Sequence, residues 1–306
     1  MAHLVLVGTL VVWSFSFLAA ARLRQDLGLV DALGARFLPV LAGAGLLLAG
    51  RRPLRLPRAA WLRIAAMGLL GVPVYNLAFL YGLKTVPTGT ASLIIATNPV
   101  FTVVLARLFL REAFGLRRLA GLGIALAGVF VVIRYGTDKP VDWPYLTSAL
   151  VLTLAPLAWA GYTVIGRGLP ADADAFDTTY ALLFVGSLPL LVLATPALGR
   201  LLLARPGALG AALYLAVPCT LVGYAAWIWA LKRLPAGEVA GFVFLNPPLA
   251  NLWARLFDGA RLERPFLLGA ATLLAGVGAI VLPLKREGVP AARPPAGTAR
   301  GSPVAY

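Results

Sequence analysis

Residues 83–109 read LKTVPTGTASLIIATNPVFTVVLARLF, and residues 231–257 read LKRLPAGEVAGFVFLNPPLANLWARLF. A shift of 148 residues, without a gap, lays Leu83-Lys84 on Leu231-Lys232, Pro87 on Pro235 and Gly89 on Gly237. The same shift lays Asn98-Pro99 on Asn246-Pro247 and Ala106-Arg107-Leu108-Phe109 on Ala254-Arg255-Leu256-Phe257. Further on, Leu126-Ala127-Gly128-Val129 meets Leu274-Ala275-Gly276-Val277. Over 83–133 against 231–281, 16 of 51 positions are identical. Clustered Asn-Pro, Pro-x-Gly and Ala-Arg-Leu-Phe matches are hard to obtain from a Leu/Ala/Gly-rich composition alone. The chain reads as a duplicated unit.

Composition places that unit in a membrane. The 306 residues are 60% hydrophobic and 13% charged, with a mean hydropathy of +0.87. A soluble domain carries about 25% charged residues, and crossing a bilayer takes about 20 apolar residues. Ten such spans are predicted, at about 3–21, 31–49, 62–83, 87–110, 117–134, 145–166, 177–195, 208–231, 236–257 and 265–284. The fold class is therefore an all-α integral membrane protein. The hinges are short and rich in Arg, Pro and Gly, as in Arg51-Arg52-Pro53 and Thr137-Asp138-Lys139-Pro140. The tail 285–306 is Pro/Ala/Gly/Arg-rich and is expected to be disordered and cytoplasmic. Met1-Ala2-His3 lacks the basic n-region of a signal peptide. Trp13 of span 1 also falls near Trp159 of span 6 under the repeat offset, so span 1 belongs to the repeat.

The net charge of +15 does not point to nucleic acid, because the basic residues sit in short loops between apolar runs. With the N-terminus inside, 16 Lys and Arg fall in inner loops and 10 in outer ones. The positive-inside rule then places both termini in the cytoplasm. The halves are 1–134 and 145–284, five spans each. An odd number forces the second half to cross in the opposite sense from the first. Such inverted-topology repeats are characteristic of secondary transporters working by alternating access.

Candidate functional residues come from polar groups at membrane depth. Asn98-Pro99 and Asn246-Pro247 fall mid-span in corresponding helices. A proline there removes a backbone donor, and lipid does not tolerate the freed carbonyl. Each site is either a kinked helix packed by its neighbours or, as the repetition favours, a paired hinge lining a cavity. Trp13, Ser16, Tyr75, Asn76, Trp159, Tyr162 and Tyr224 lie on spans 1, 3, 6 and 8; such aromatics are either interfacial anchors or, where they lie deeper, the lining of a central cavity. Aromatic faces with a few amides and hydroxyls suit a small amphipathic or zwitterionic solute. Together with Asn98 and Asn246 they form the predicted substrate site, with Pro99 and Pro247 as hinges. Arg36, about five residues into span 2, is expected to snorkel or to pair with Asp31. Glu112, Glu238 and Asp258 sit at span ends, and no chain of buried Asp, Glu or His forms a proton relay. The small residues Gly121, Gly123, Gly128, Gly269, Gly276 and Gly278 read as helix-packing faces, within a chain or between subunits. A homodimer is left open. No enzyme motif is found; Asp172-x-Asp174 reads as a solvated loop. No cofactor is expected, Cys219 is the single cysteine, and the partners implied are a small-molecule substrate and the lipid bilayer.

These residues also resemble a known family. Trp13-Ser14-Phe15-Ser16-Phe17, Ala35-Arg36-Phe37-Leu38, Tyr75-Asn76-Leu77-Ala78-Phe79, Pro99 followed thirteen residues on by Glu112, and Gly121-x-Gly123-x-x-x-x-Gly128 are similar to the EamA-type ten-helix exporters of the drug/metabolite transporter superfamily. The second copy repeats the pattern with Tyr224-Ala225-Ala226-Trp227, Leu231-Lys232-Arg233-Leu234-Pro235-Ala236, Pro247 and Gly269. The resemblance covers 1–284. It implies two inverted EamA repeats, a cavity formed by helices 1, 3, 4, 6, 8 and 9, and efflux of small metabolites. The chain departs from the pattern at Ala260, where the partner of Glu112 is expected. An amino-acid exporter is the leading reading, with drugs, cations or other metabolites as the alternative. A membrane receptor or assembly protein without transport would have a closed apolar centre; an integral-membrane enzyme would show acids or histidines clustered at one face. Arg-rich, Lys-poor composition fits a bacterial inner membrane.

Overall fold

The computed structural model describes residues 1–51, 56–110, 116–135, 142–166, 168–170, 173–234, 239, 242–259 and 264–281. Glu112, Glu238, Ala260, Asp172, Pro235, Gly237 and the tail 285–306 lie outside the described residues, so the expectations attached to them are not addressed. Every regular element among the described residues is helical. Seven helical stretches are long and apolar enough to cross a membrane. They are α1 (Ala2–Leu27), α2 (Leu29–Ala49), α3 (Arg58–Gly82), the stretch Thr88–Phe109, α7 (Trp143–Gly166), α8 (Ala175–Leu193) and α10 (Pro206–Leu231).

The stretch at 88–109 is interrupted. It consists of α4 (Thr88–Ile95) and α5 (Asn98–Leu110), separated at Ala96 and Thr97. The remaining helices are α6 (Leu116–Tyr135), the short α9 (Pro196–Ala204), α11 (Asn246–Asp258) and α12 (Arg264–Val281). The sequence left two readings of these prolines, a kinked helix packed by its neighbours and a paired hinge lining a cavity. In the structure Pro99 and Pro247 occupy the first turn of a new helix, after Asn98 and Asn246. The missing amide costs nothing there, because first-turn amides have no intrahelical partner.

Two spans are widened rather than broken. A π-helical turn runs through Leu70–Val74 in α3, around Pro73. A longer one runs through Leu215–Val222 in α10, around Pro218. The two spans are repeat equivalents, so both halves carry a loosened backbone at corresponding depth.

Small residues bring helices into backbone contact. A methyl group added at Gly128 of α6 would collide with the backbone of Leu273 and Gly269 of α12. One at Gly276 would meet the backbone of Ala125 and Gly121. One at Gly269 would meet Val132 and the Gly128 carbonyl. As the position rises along α6 it falls along α12, so the two helices run antiparallel. Gly68 of α3 and Gly186 of α8 make a second close crossing. At one edge, Arg51 closes α2 against the start of α8. It pairs with Asp177 at 2.5 Å and with Asp174 at 3.5 Å, and Asp174 also caps α8 by accepting from the amides of Phe176 and Asp177.

The glycine contacts generate a matched pair of outcomes. Gly128→Ala and Gly276→Ala lower the unfolding midpoint in detergent, by about 1–3 kcal/mol of overpacking. Gly123→Ala, with open space around its added methyl group, leaves the midpoint unchanged or raises it through helix propensity. Thermal melts of the purified variants check both.

Candidate functional site

The central cavity is lined from most of the long helices. Trp13, Ser16 and Phe17 come from α1, Arg36 from α2, Tyr75 and Phe79 from α3, Pro156 and Trp159 from α7, and Cys219 and Tyr224 from α10. Ile95 and Asn98 flank the interruption between α4 and α5, and Val243 and Asn246 lie where α11 begins. The cavity measures about 60 Å³. The structure thus gathers seven of the nine predicted substrate residues around one space: Trp13, Ser16, Tyr75, Asn98, Trp159, Tyr224 and Asn246. Asn76 and Tyr162 are not among its lining residues.

An aromatic cluster forms one wall. Trp159 lies edge-on to Trp13 at 5.8 Å and to Tyr224 at 5.1 Å between ring centroids. Trp13 also meets Trp227 at 5.3 Å, and Tyr75 meets Trp159 at 5.5 Å. Tyr162 stacks on Trp159 at 4.8 Å with the rings 17° apart. Pairs in this range contribute about 0.5–1.5 kcal/mol each beyond area burial. Behind Tyr162 lies a second, wider cavity of about 620 Å³, lined by Tyr162, Met67, Pro170, Ile228, Lys232 and Arg233 among others. The Trp159–Tyr162–Tyr224 layer therefore stands between the polar centre and this vestibule.

Hydrogen bonds to backbone carbonyls fix these side chains. The Trp13 indole donates to the Cys219 carbonyl at 2.8 Å, and the Tyr224 hydroxyl to the Gly71 carbonyl at 2.9 Å. Asn76 donates to the carbonyls of Val72 at 2.9 Å and Gly71 at 3.2 Å. Cys219, Gly71 and Val72 all belong to the widened turns. Asn98 donates to the Pro156 carbonyl at 3.1 Å and so ties α5 to α7. Asn76 thus braces the wide turn of α3. The spacing of Tyr75-Asn76 shows that one of the two faces inward, but not which one faces solute and which faces backbone.

Two groups on the cavity wall have unmet bonding capacity. The Asn246 side chain is buried and its Oδ1 has no donor among the described residues. The Arg36 guanidinium is buried, with 5% of the residue exposed, and its Nε and Nη1 have no acceptor among the described residues. It does not snorkel, and no ion pair joins it to Asp31. Counting five residues from a span start near 31 placed it close to the interface, but α2 begins at Leu29. Asp31 also projects about 140° around the helix from Arg36 at about 100° per residue. An arginine with no acid at three or four residues on its own helix was the signal available in the sequence.

The two asparagines separate structural from solute-facing roles. Asn76→Ala removes the amide that donates to the Val72 and Gly71 carbonyls, of which Gly71 keeps Tyr224; it costs about 1–3 kcal/mol of stability and lowers the unfolding midpoint. Asn246→Ala removes an unpartnered oxygen, leaves the midpoint unchanged and weakens solute exchange. Melts and proteoliposome exchange on the same preparations distinguish them.

Comparison with known proteins now adds the family. A model of the EamA-like transporter family matches residues 1–134 and 146–282. A "Probable terminal-alkyne amino-acid exporter" from Streptantibioticus cattleyicolor is 31% identical over 273 residues, covering 89% of this chain and 90% of that protein. The "Uncharacterized inner membrane transporter YedA" of Escherichia coli is 27% identical over 258 residues, covering 81% of this chain and 80% of the relative. A solved crystal structure shares the fold at a TM-score of 0.59 and 19% identity, over 91% of this chain and 96% of its own. With its long apolar helices, this is a multi-pass membrane protein, a transporter and not an enzyme, and the chain belongs to the EamA-like transporter family.

Proposed function

We propose that the protein exports small organic metabolites, amino acids foremost, across the bacterial inner membrane by alternating access. The observation that carries this is the composition of the central cavity. Asn98 and Asn246, 148 residues apart in the repeat, meet there at the starts of α5 and α11. Polar groups, aromatic faces and interrupted helices at membrane depth are the features of a transporter solute site. The relative named as an amino-acid exporter supports the substrate class.

The topology proposed with it is ten crossings in two inverted five-helix repeats, with both termini in the cytoplasm. The α6–α12 pair supports this arrangement. These helices are repeat equivalents, and they pack antiparallel. Under a shift of 148, the contact of Gly128 with Leu273 becomes the contact of Ala125 with Gly276, and both occur. A two-fold axis in the membrane plane requires that reciprocity. In this orientation the vestibule beside Lys232 and Arg233 opens to the cytoplasm. The aromatic layer of Trp159, Tyr162 and Tyr224 is then the barrier that solute must pass.

Counterflow in proteoliposomes with a panel of labelled amino acids tests the proposal. The expected result is saturable exchange of at least one of them, reduced tenfold or more in Trp159→Ala. Exchange of cationic dyes and of no amino acid moves the substrate class to the alternative, drugs and cations. Amino-acid exchange undiminished by Trp159→Ala contradicts the cavity as the site.

A further inference from the structure

We propose that Arg36 is the carboxylate-binding residue of the solute site and makes the cavity selective for carboxylate-bearing solutes over simple cations. The proposal rests on the central cavity being where solute binds. A guanidinium stays charged at any accessible pH, so burial cannot be relieved by losing a proton as it can for lysine. A buried charge without a partner is strongly unfavourable. Here Nη2 makes one long hydrogen bond, to the Thr220 hydroxyl at 3.4 Å. The Phe37 ring lies 5.1 Å from the guanidinium carbon. Nε and Nη1 are buried and have no acceptor among the described residues. They belong to a side chain that lines the cavity. No Asp or Glu among the described residues lines it.

The bidentate edges of a guanidinium are Nε with Nη2 and Nη1 with Nη2; Nη2 gives one of its two hydrogens to Thr220, and the other, together with Nε or Nη1, matches a carboxylate in bidentate fashion. The cavity also offers the complementary element. Asn246 Oδ1 is buried, without a partner among the described residues, and belongs to a side chain that lines the same cavity, and it can accept from an ammonium. The rings of Trp13, Trp159 and Tyr224 supply apolar and cation–π surface between them. One fixed positive charge, one free acceptor and an aromatic lining suit an α-amino acid zwitterion. A bare amine would enter a site whose one buried charge repels it.

The test compares leucine with its isosteres by quenching of tryptophan fluorescence in detergent and by counterflow in proteoliposomes. Leucinamide and 3-methylbutylamine lack the carboxylate; 4-methylpentanoate keeps it and lacks the amine. In the wild type, leucine is expected to bind at least tenfold more tightly than leucinamide or 3-methylbutylamine. Arg36→Gln is expected to weaken leucine at least tenfold and to remove the preference for leucine over leucinamide. Arg36→Lys is expected to keep part of it. Near-ultraviolet circular dichroism checks that the variants fold. If Arg36→Gln does not fold, the isostere ranking in the wild type still decides. Binding of 4-methylpentanoate with no binding of leucine would uphold the carboxylate role while overturning the amino-acid reading. Equal affinity for 3-methylbutylamine and leucine in the wild type, or an unchanged acid preference in a folded Arg36→Gln, would overturn the proposal.

Discussion

A polar backbone group deep in the bilayer needs a partner, because neither water nor lipid supplies one there. Most of the architecture around the centre follows from that constraint. Helices that are to move or to open a cavity must give up part of their own hydrogen-bond ladder, and the lost bonds must be made elsewhere. At the wide turn of α3 the carbonyls of Gly71 and Val72 take their bonds from Asn76 and Tyr224. At the wide turn of α10 the carbonyls of Leu215 and Cys219 take theirs from Thr220 and Trp13. Tyr224 and Trp13 are thus held by backbone irregularities beside the space they line, with Asn76 bracing the turn of α3 behind them. Once these demands are met, Nε and Nη1 of Arg36 and Oδ1 of Asn246 are left without a partner among the described residues, on two side chains that line the cavity. What the protein's own groups do not satisfy is what a solute can.

The helices around this centre are held in two ways. Where helix pairs carry glycine, as in α6 with α12 and α3 with α8, backbones touch and packing is intimate without long side chains. This is how membrane helices associate when lipid is as apolar as the protein. Around the cavity, by contrast, contacts are between large rings, which can rotate without breaking a backbone interface. The division fits a transporter with a rigid pair of flanking helices and a centre that rearranges. The exposed pair between Arg22 and Asp258, at 3.1 Å with side chains 58% and 38% exposed, adds little to stability. A contact of that strength can open in each cycle.

Much of this was legible in the sequence, and the exceptions have physical reasons. The gapless match of Asn98-Pro99 with Asn246-Pro247 falls where two helices begin, and seven of the ten spans read from hydropathy are long apolar helices among the described residues. Polar aromatics at depth located the cavity, since seven of nine candidates line it. Periodicity could not tell a bent helix from a broken one, because proline disfavours the helix interior and favours its first turn. Nor could it assign Asn76, whose role depends on a π-helical turn that shifts the facing of everything after it. Tyr162 stands one ring behind the cavity, a distinction of a few ångströms that no spacing encodes. Arg36 was misplaced because its depth was counted from a span start two residues too late and because Asp31, its expected partner, projects from another side of the helix.

A crystal structure with bound solute, using whichever amino acid exchanges fastest, tests the central claim most directly. The account predicts density in the small central cavity, with a carboxylate on Arg36, an ammonium near Asn246 and the Trp13 and Trp159 rings beside the chain. Density for the same solute in the wide vestibule beside Lys232 and Arg233, with the centre unchanged, would contradict it.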